Sequence, residues 1–390
     1  MSRQLISRSP DLQRLWDEGY EIEVRAGHLL LKQVPYVTAK RTVARATLVS
    51  ALDLIGDGTT RPSSHVVNFT GETPCDETGQ PLANIILSNE QEDLGSGIVV
   101  QHQFSSKPAA GYDDYFEKMA TYAEILTGYA QSIELAVTAR TFEVVQDSNE
   151  DSVFEYIDTA SSRAGIVAVT QKLEIGSVAI VGLGGTGSYI LDLVAKTPVR
   201  EIHLFDGDRF GQHNAFRAPG APPAEILQAA PAKSKYFRGI YSNMHRNILD
   251  HKHLDDSSAD ILDGVSFAFV AVDNVDARRL AVEKLLDAGV PFIDVGMGVD
   301  TVDGALFGQL RVTAATQKER DHVVSTIPLN RGPDDNEYAS NIQIADLNAL
   351  NAALAVVKWK KMCGFYKDLE REHSSLYQVD GNHLINEHQR

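Results

Sequence analysis

The clearest pattern of apolar and polar positions lies in the middle of the chain. Residues 178–181 form an uninterrupted apolar run, which predicts a strand that is buried on both faces. A glycine turn at 182–187 and a helical run follow, and residues 202–205 form a second apolar run. Because two parallel strands need a crossover between them, this order predicts a βαβ unit of a parallel sheet.

The chain after this unit continues to alternate strands and helices. Further apolar runs predict three strands: 267–272, 291–295 and 308–313. Residues 276–288 predict an amphipathic helix, and residues 345–361 predict a last one. In the last helix, apolar side chains at spacings of three, four and three predict the buried stripe: Leu347, Leu350, Leu354 and Val357. We therefore expect a Rossmann-like α/β domain with a mixed sheet.

The first 145 residues follow a different pattern, with short alternating runs and one long helix. The alternating runs predict strands at four places: 21–24, 28–31, 66–69 and 97–103. Residues 113–136 place apolar side chains on one helical face. We expect a smaller α+β domain at 1–145, a linker at 146–162 and the α/β domain at 163–390.

The glycine turn reads GLGGTG and lies between the first predicted strand of the α/β domain and its helix. Glycines at such a turn let backbone N–H groups approach a phosphate, and the positive end of the helix dipole faces the same anion. We expect four glycines to bind a nucleotide phosphate: Gly182, Gly184, Gly185 and Gly187. Asp206 follows the second strand, where a carboxylate can bind ribose hydroxyls.

The glycine turn and Asp206 fit either ATP or NAD. The polar residues that follow favour ATP: Asp208, Asn214, Arg217, Lys233, Asp273 and Asn274. An enzyme that transfers an adenylyl group must hold a triphosphate, neutralise charge on the α-phosphate and position Mg²⁺ on the departing pyrophosphate. A dehydrogenase has no need for this series of residues.

Together these motifs resemble the ThiF/MoeB adenylyltransferases, which include the adenylation domains of ubiquitin-activating enzymes. The resemblance covers about half of the chain, from residue 163 to residue 361. It implies a Rossmann-like adenylation domain that uses ATP and Mg²⁺. It also implies that the substrate is the C-terminal glycine carboxylate of a ubiquitin-like protein, that the product is an acyl-adenylate, and that the enzyme is a homodimer.

The resemblance also implies a role for each matching residue. Asn214, Arg217 and Lys233 would contact the phosphates, and the two cations would stabilise charge in the transition state. Asp273 would hold Mg²⁺. Arg163 lies upstream of the first strand, where the family often supplies an arginine to the site of the partner subunit.

Several of these residues also have ordinary structural interpretations, which stay open. Asp206 fits a turn residue at the end of a strand, and Asp208 fits a solvated turn carboxylate. Asn274 fits the N-cap of the following helix. Lys235 competes with Lys233 for the phosphate role, but we expect Lys235 to be a surface lysine on a helix.

Residues 314–341 are polar and irregular, and they contain no cysteine. In the ThiF/MoeB family this segment, the crossover, often carries zinc-binding cysteine pairs and a catalytic cysteine. The chain has two cysteines, so a structural Cys₄ zinc site is excluded. Cys363 lies in an apolar setting and is expected to be a packed thiol.

Three routes stay open for the step after adenylation. The acyl-adenylate could pass to a partner protein, or the thiol of a separate conjugating enzyme could attack it. A hydroxyl of this chain could also form an oxyester, and Ser340 lies nearest the position of the family's cysteine. A hydroxyl is a weak nucleophile without a general base, so a role of Ser340 as a cap or turn residue stays open beside the catalytic one.

The composition favours a cytoplasmic enzyme. There is no run of about 18 apolar residues, so no membrane span is expected, and the start of the chain lacks the apolar core of a signal peptide. The two cysteines predict no disulfide framework. The net charge of −17 argues against nucleic acid as a partner, because phosphates would be repelled.

The N-terminal domain does not match the adenylation family. Extra domains around this core usually bind a protein, so we expect residues 1–145 to recruit the ubiquitin-like protein or a conjugating enzyme. His65 and Cys75 are possible catalytic residues there, but a lone cysteine and histidine in a mixed domain are more often structural, and we expect both to be structural.

The favoured function is ATP-dependent adenylation of a protein C-terminus, and two other functions stay open. An NAD-dependent oxidoreductase would use the glycine turn and Asp206, although no base for hydride transfer stands out. A catalytically inactive scaffold would keep the fold and a protein partner, although it would have no reason to retain Arg217, Lys233 and Asp273.

Overall fold

The chain folds into two compact units, Met1–Val145 and Gln146–Arg390. The computed structural model describes residues 5–6, 8–56, 58–144, 151–255, 258–330 and 342–387, without the side chains of residues 162 and 163. Each unit has its own hydrophobic core.

The first unit combines helices with an antiparallel sheet. Among its described residues, the helices include α1 Pro10–Asp17 and α2 Tyr115–Gln131. Its strands are β1 Ile22–Arg25, β2 His28–Val37, β3 Val43–Ala51, β4 Leu54–Ile55, β5 Gly58–Thr59, β6 Val66–Phe69, β7 Ile86–Ser88, β8 Glu92–Asp93, β9 Val99–Val100 and β10 His102–Ser105. The main sheet has the order β1-β2-β3-β6-β10-β7, and every pair in it is antiparallel. The predicted α+β class of this region is confirmed.

Helix α2 is shorter than the predicted 113–136 at both ends, and a cap fixes its start. The carboxylate of Asp114 accepts a hydrogen bond from the backbone N–H of Glu117 at 2.7 Å, as an N-cap residue does. One turn further on, Lys118 is buried, and its Nζ donates to Ser50 Oγ at 2.8 Å and to the carbonyl of Ser64 at 2.7 Å. Burial lowers the pKa of Lys118 to about 8.

The second unit alternates strands and helices. Its helices are α3 Thr159–Arg163, α4 Val167–Thr170, α5 Gly185–Val194, α6 Gln212–Ala215, α7 Ala224–Ala229, α8 Lys233–Tyr241, α9 Val275–Ala288, α10 Val323–Thr326 and α11 Ala345–Met362. Its strands are β11 Ser177–Val181, β12 Glu201–Phe205, β13 Ile248–His251, β14 Phe267–Val270, β15 Phe292–Val302, β16 Ala305–Ala315, β17 Ser374–Gln378 and β18 His383–Glu387. Within the described ranges of the whole chain, no helix is both long and apolar enough to cross a bilayer.

One eight-stranded sheet organises the second unit. Its order is β13-β12-β11-β14-β15-β16-β17-β18. The first five strands are parallel, and the last three pair antiparallel. Strand β11 lies between β12 and β14. The chain therefore passes from β11 to β12 on one side of β11 and later reaches β14 on the other side. The expected α/β class with a mixed sheet is confirmed, and the carboxyl ends of these three strands form a crevice in which ligands bind in such folds.

Both faces of this sheet are covered. Alternate residues of the strands pack on α5, α8 and α11 on one face, and the remaining residues pack on α9 on the other. Strands β11 and β14 are therefore buried at every position.

The buried face of α11 differs from the predicted leucine stripe. Leu347 is buried, but Leu350 and Leu354 are only partly buried and Val357 is 41% exposed. The residues that face the core lie about a quarter-turn away: Asn348, Asn351, Ala352, Ala355 and Trp359. The alanines let α11 approach α5 closely, and the asparagines turn towards the crevice. The predicted stripe was drawn from apolar residues alone, whereas the inward face also carries two asparagines.

The position of α11 leads to a stability prediction. Trp359→Ala should lower the free energy of unfolding by roughly 3–5 kcal/mol, because this fully buried ring packs on Phe267 and Phe269. Val357→Ala, on the face that the leucine stripe assigned to the core, should change it by less than about 1 kcal/mol. Urea unfolding followed by circular dichroism measures both free energies of unfolding. Equal losses of stability in the two variants would support the predicted leucine stripe as the buried face.

Candidate functional site

A cleft of about 340 Å³ lies at the carboxyl ends of β11, β12 and β14. The glycine turn forms its floor, and the ends of the neighbouring strands and one face of α11 form its walls. Most of the candidate site residues line it: Gly182, Gly184, Gly185, Asp206, Asp208, Arg217, Lys233, Asp273 and Asn274. The topology of the sheet therefore brings together residues that lie far apart in the sequence.

The glycine turn depends on close backbone approaches. Gly182 has φ +92°, and a Cβ there would meet the carbonyl oxygen of Ala271 at 2.6 Å. A Cβ on Gly187 would overlap the carbonyl oxygen of Gly182, so the turn folds back on itself. A Cβ on Gly184 would meet nothing within 4 Å, because this residue faces the open cleft.

Helix α5 begins at Gly185 and directs its first turn into the cleft. The first N–H groups of a helix have no partner within the helix, and its dipole places partial positive charge there. No side chain of the N-cap residue Gly184 covers these groups. The turn is therefore a cradle for an anion of the size and charge of a phosphate.

Asp206 supports the glycine turn from the end of β12. Its Oδ2 accepts from the backbone N–H of Leu183 at 2.7 Å, and its Oδ1 accepts from the N–H of Asp208 at 2.8 Å. Burial raises the pKa of this carboxyl, while Lys233 and the two N–H groups oppose that shift. Asp206 is thus more than a turn residue, since one carboxylate connects the end of β12 to the phosphate turn.

Lys233 is buried, with 5% of its surface exposed, and lies at the start of α8. Its Nζ is 2.7 Å from Asp208 Oδ2 and 3.7 Å from Asp206 Oδ1. An ammonium group has three N–H donors, so the hydrogen bond to Asp208 leaves donor capacity for a ligand. Lys235 is exposed and does not line the cleft, so the geometry agrees with the choice of Lys233.

Arg217 and Asn214 take different positions. Arg217 lines the cleft, and its buried Nε has no hydrogen-bond partner among the described residues. Asn214 is buried outside the lining, and its Oδ1 accepts from the N–H of Gly211 at 2.9 Å. Asn214 therefore shapes the short helix that precedes Arg217, and its contact with a phosphate stays a prediction.

Asp273 and Asn274 follow β14 on the opposite side of the turn from Asp206, and both are exposed. Asn274 Oδ1 accepts from the N–H of Ala277 at 3.0 Å, so Asn274 is the N-cap of α9 and also lines the cleft. Both interpretations of Asn274 are therefore compatible with the structure.

The cleft and strand β15, which borders it, contain polar residues that the sequence patterns did not single out. Asp294 is fully buried in β15 and does not line the cleft, and Arg311 and Arg278 flank it at 2.5 and 3.3 Å. Burial raises the pKa of Asp294 and the two guanidinium groups oppose this. Arg278 lines the cleft, and so do Asn348 and Asn351 of α11. Two signals in the sequence could have identified these residues. One is a charged residue inside an apolar strand, and the other is a pair of asparagines one turn apart in an alanine-rich helix.

The remaining candidates lie elsewhere. Ser340 lies outside the described residues, and Arg163 ends α3 without a described side chain. Burial raises the pKa of Cys363 to about 11, which fits a packed thiol rather than a nucleophile. Burial also raises the pKa of Cys75, and His65 Nε2 lies 3.0 Å from Ser105 Oγ.

The donors in the cleft fit ATP better than they fit a protein-held metal. Among the described residues, no three His, Cys, Asp or Glu side chains are grouped as a metal site. Mg²⁺ usually binds one or two carboxylates together with phosphates and waters. Asp273, exposed at the rim of the phosphate cradle, is suited to that arrangement.

Comparisons with known proteins agree with this geometry. The family model described as ThiF family matches residues 123–373, and one described as a domain of unknown function (DUF6791) matches residues 10–159. The chain is similar to ubiquitin-like modifier-activating enzyme 5 of Mus musculus, at 26% identity over 157 residues, 37% of this chain and 39% of that protein. The Culex quinquefasciatus protein of that name is 26% identical over 185 residues, 43% and 44% of the two chains. The chain thus spans about two fifths of the length of these relatives.

Solved structures of E. coli MccB are also similar. The crystal structure of MccB with succinimide has 18% identity and a TM-score of 0.45, and covers 57% of this chain and 66% of that one. The structure of MccB with AMPCPP and MccA has 16% identity and a TM-score of 0.46, and covers 70% and 82%.

The turn geometry predicts opposite behaviour for two glycines. Gly187→Ala should lower the free energy of unfolding by at least about 3 kcal/mol, because its Cβ would overlap the Gly182 carbonyl. Gly184→Ala should cost roughly 1 kcal/mol, the loss of a preferred N-cap residue, since its Cβ meets open space. Thermal unfolding of the two variants measures the difference, and similar losses would contradict this description of the turn.

Proposed function

The chain belongs to the ThiF family, and from that premise we propose that it adenylates the C-terminal carboxylate of a ubiquitin-like protein with ATP. The acyl-adenylate would then pass to a conjugating enzyme or another acceptor. One observation supports this above all. A single cleft gathers the phosphate cradle, a ribose-side carboxylate, two cations and an exposed carboxylate: Gly182–Gly185, Asp206, Arg217, Lys233 and Asp273.

Different residues of the chain would bind different parts of the nucleotide. The first turn of α5 receives phosphate oxygens on its backbone N–H groups. Asp206 keeps lone pairs for ribose hydroxyls beside the two N–H groups that it already accepts. Arg217 and Lys233 lie on the wall next to the cradle, where phosphate oxygens complete the hydrogen bonding of a buried guanidinium nitrogen and a buried ammonium.

The chemical step is a displacement at the α-phosphorus. A carboxylate oxygen of the substrate protein attacks, the bond between the α-phosphorus and the oxygen bridging to the β-phosphate breaks, and pyrophosphate leaves. Negative charge grows on the phosphate oxygens, and Arg217 and Lys233 offer it fixed positive charge. Asp208 holds Lys233 at 2.7 Å, so the ammonium is in place before the substrate arrives.

Mg²⁺ is the expected metal, and Asp273 would hold it. When bound, it would neutralise charge on the departing pyrophosphate. Asp273 is exposed and lines the cleft, so its carboxylate is accessible to a cation from solvent.

Support for a protein substrate comes from the relatives. The curated ones are named as ubiquitin-like modifier-activating enzymes. The first unit, with its separate core and its match to a domain of unknown function, is proposed to recruit the protein partner.

The acceptor after adenylation is proposed to be a thiol on another protein. The crossover carries no cysteine, and burial keeps Cys363 protonated at neutral pH because its pKa is about 11. Ser340 stays the candidate for an oxyester on this chain. Trapping of the acyl group on this enzyme, in an alkali-labile bond that Ser340→Ala abolishes, would refute direct transfer.

ATP–pyrophosphate exchange tests the proposed function. With purified protein, Mg²⁺ and the small-protein fraction of a host extract, exchange should depend on the extract. Asp273→Asn should reduce its rate by roughly 100-fold, because charge on the leaving group would lose its counterion.

Asp276→Asn is the matched control, because this exposed carboxylate lies three residues further on and outside the cleft. It should leave the exchange rate within about twofold. An unchanged rate in Asp273→Asn would remove Asp273 from the mechanism. Binding of NAD in preference to ATP would replace the proposed function by an oxidoreductase.

Removal of residues 1–145 tests the role of the first unit. Partner binding should be lost while ATP binding is retained, because the phosphate cradle and its core lie in the second unit. Titration with ATP serves as the folding control, and pull-down of the stimulating protein gives the result. Full retention of partner binding would refute recruitment by this unit.

A further inference from the structure

Asn348 is a buried polar residue that contacts the phosphate cradle from α11. Only 1% of its surface is exposed, yet it lines the cleft. The hydroxyl of Thr186, in the first turn of α5, donates to Asn348 Oδ1 at 2.9 Å. This bond fixes the amide so that Nδ2, the donor end, stays free for another acceptor.

No hydrogen-bond partner for Asn348 Nδ2 exists in the part of the chain that the structure describes. A buried donor without an acceptor costs about 1–3 kcal/mol, so such groups are rare unless a ligand completes them. Because Asn348 lines the cleft, a ligand bound there can supply the acceptor.

The surroundings of Nδ2 indicate that the acceptor is an anion. A Cβ on Gly185 would overlap the amide of Asn348, so the amide lies directly against the first turn of α5. The free N–H groups and the positive dipole end of α5 are at the same place, and both select an anion. Because residue 185 has no side chain, the amide of Asn348 can lie against the turn that would also receive a phosphate.

We propose that Asn348 binds the phosphate chain of ATP, with Nδ2 donating to a phosphate oxygen and Thr186 fixing the amide. This inference rests on the nucleotide site of the proposed function. Asn348 would be the side-chain counterpart of the backbone donors in the turn. It adds a directional donor to the cleft without adding charge.

The test compares ATP with adenosine in calorimetric titrations of the full chain. Asn348→Asp keeps the acceptor for Thr186 but replaces Nδ2 by an oxygen that repels phosphate. Its affinity for ATP should fall about 10- to 100-fold, the effect of losing a hydrogen bond to a charged group. Its affinity for adenosine should stay within about threefold, because adenosine has no phosphate.

Two more variants separate this role from general damage. Asn348→Leu removes the donor without adding charge and should lose ATP affinity while keeping adenosine affinity. Thr186→Val removes the hydroxyl that orients the amide and should lower ATP affinity less than Asn348→Asp. The double variant Thr186→Val/Asn348→Asp should be no weaker than Asn348→Asp alone, since both changes act through one donor.

Thermal unfolding of each nucleotide-free variant confirms that it folds. Unchanged ATP affinity in Asn348→Asp and Asn348→Leu would overturn the assignment, and so would equal losses for ATP and adenosine. A wild-type chain that binds neither ligand would instead overturn the proposed function, and the role of Asn348 with it.

Discussion

The second unit depends on the close approach of Gly187 to the carbonyl oxygen of Gly182. Because no side chain separates them, β11 can end and α5 can begin within one tight turn, and the helix dipole points at the crevice of the sheet. Every other cleft residue is placed relative to that turn. Asp206 supports it from β12, Ala271 approaches it from β14, and Asn348 approaches it from α11.

The charges around the turn form three separate groups. Lys233 is held by two carboxylates, Asp294 is flanked by two arginines, and Arg217 keeps a buried nitrogen without a described partner. Pairing lets a low-dielectric cleft hold several ions with a smaller desolvation penalty. Positive charge that is fixed in advance needs no rearrangement when a polyanion enters.

The α/β unit and its main cleft residues could be predicted because their signals are local. Apolar runs gave β11 and β12 to within a residue, and the turn between them placed the phosphate cradle. Asp206 and Asp273 follow the carboxyl ends of β12 and β14, and Arg217 and Lys233 lie in the connection after β12. The rule for ligands in open parallel sheets predicts that residues at this edge lie close together.

The contribution of α11 could not be predicted in the same way. Thr186 and Asn348 are 162 positions apart, and only the packing of α11 on α5 brings them together. Apolar periodicity assigned the leucines to the core, whereas the actual inward face combines small, polar and aromatic residues. Asn214 is a further case, because its motif position predicts a phosphate contact and could not show that its Oδ1 also accepts from Gly211 N–H.

The buried amine of Lys118 makes the core of the first unit sensitive to protons. Its amine donates to the hydroxyl of Ser50 and to the carbonyl of Ser64, both of which are uncharged groups. The pKa of this lysine falls from 10.5 to about 8 on folding, so between these values the unfolded chain binds more protons than the folded one. The stability of the unit therefore rises with pH across that alkaline window, and below it the buried charge remains a constant penalty. Lys118 gives the first unit a proton-linked stability of its own.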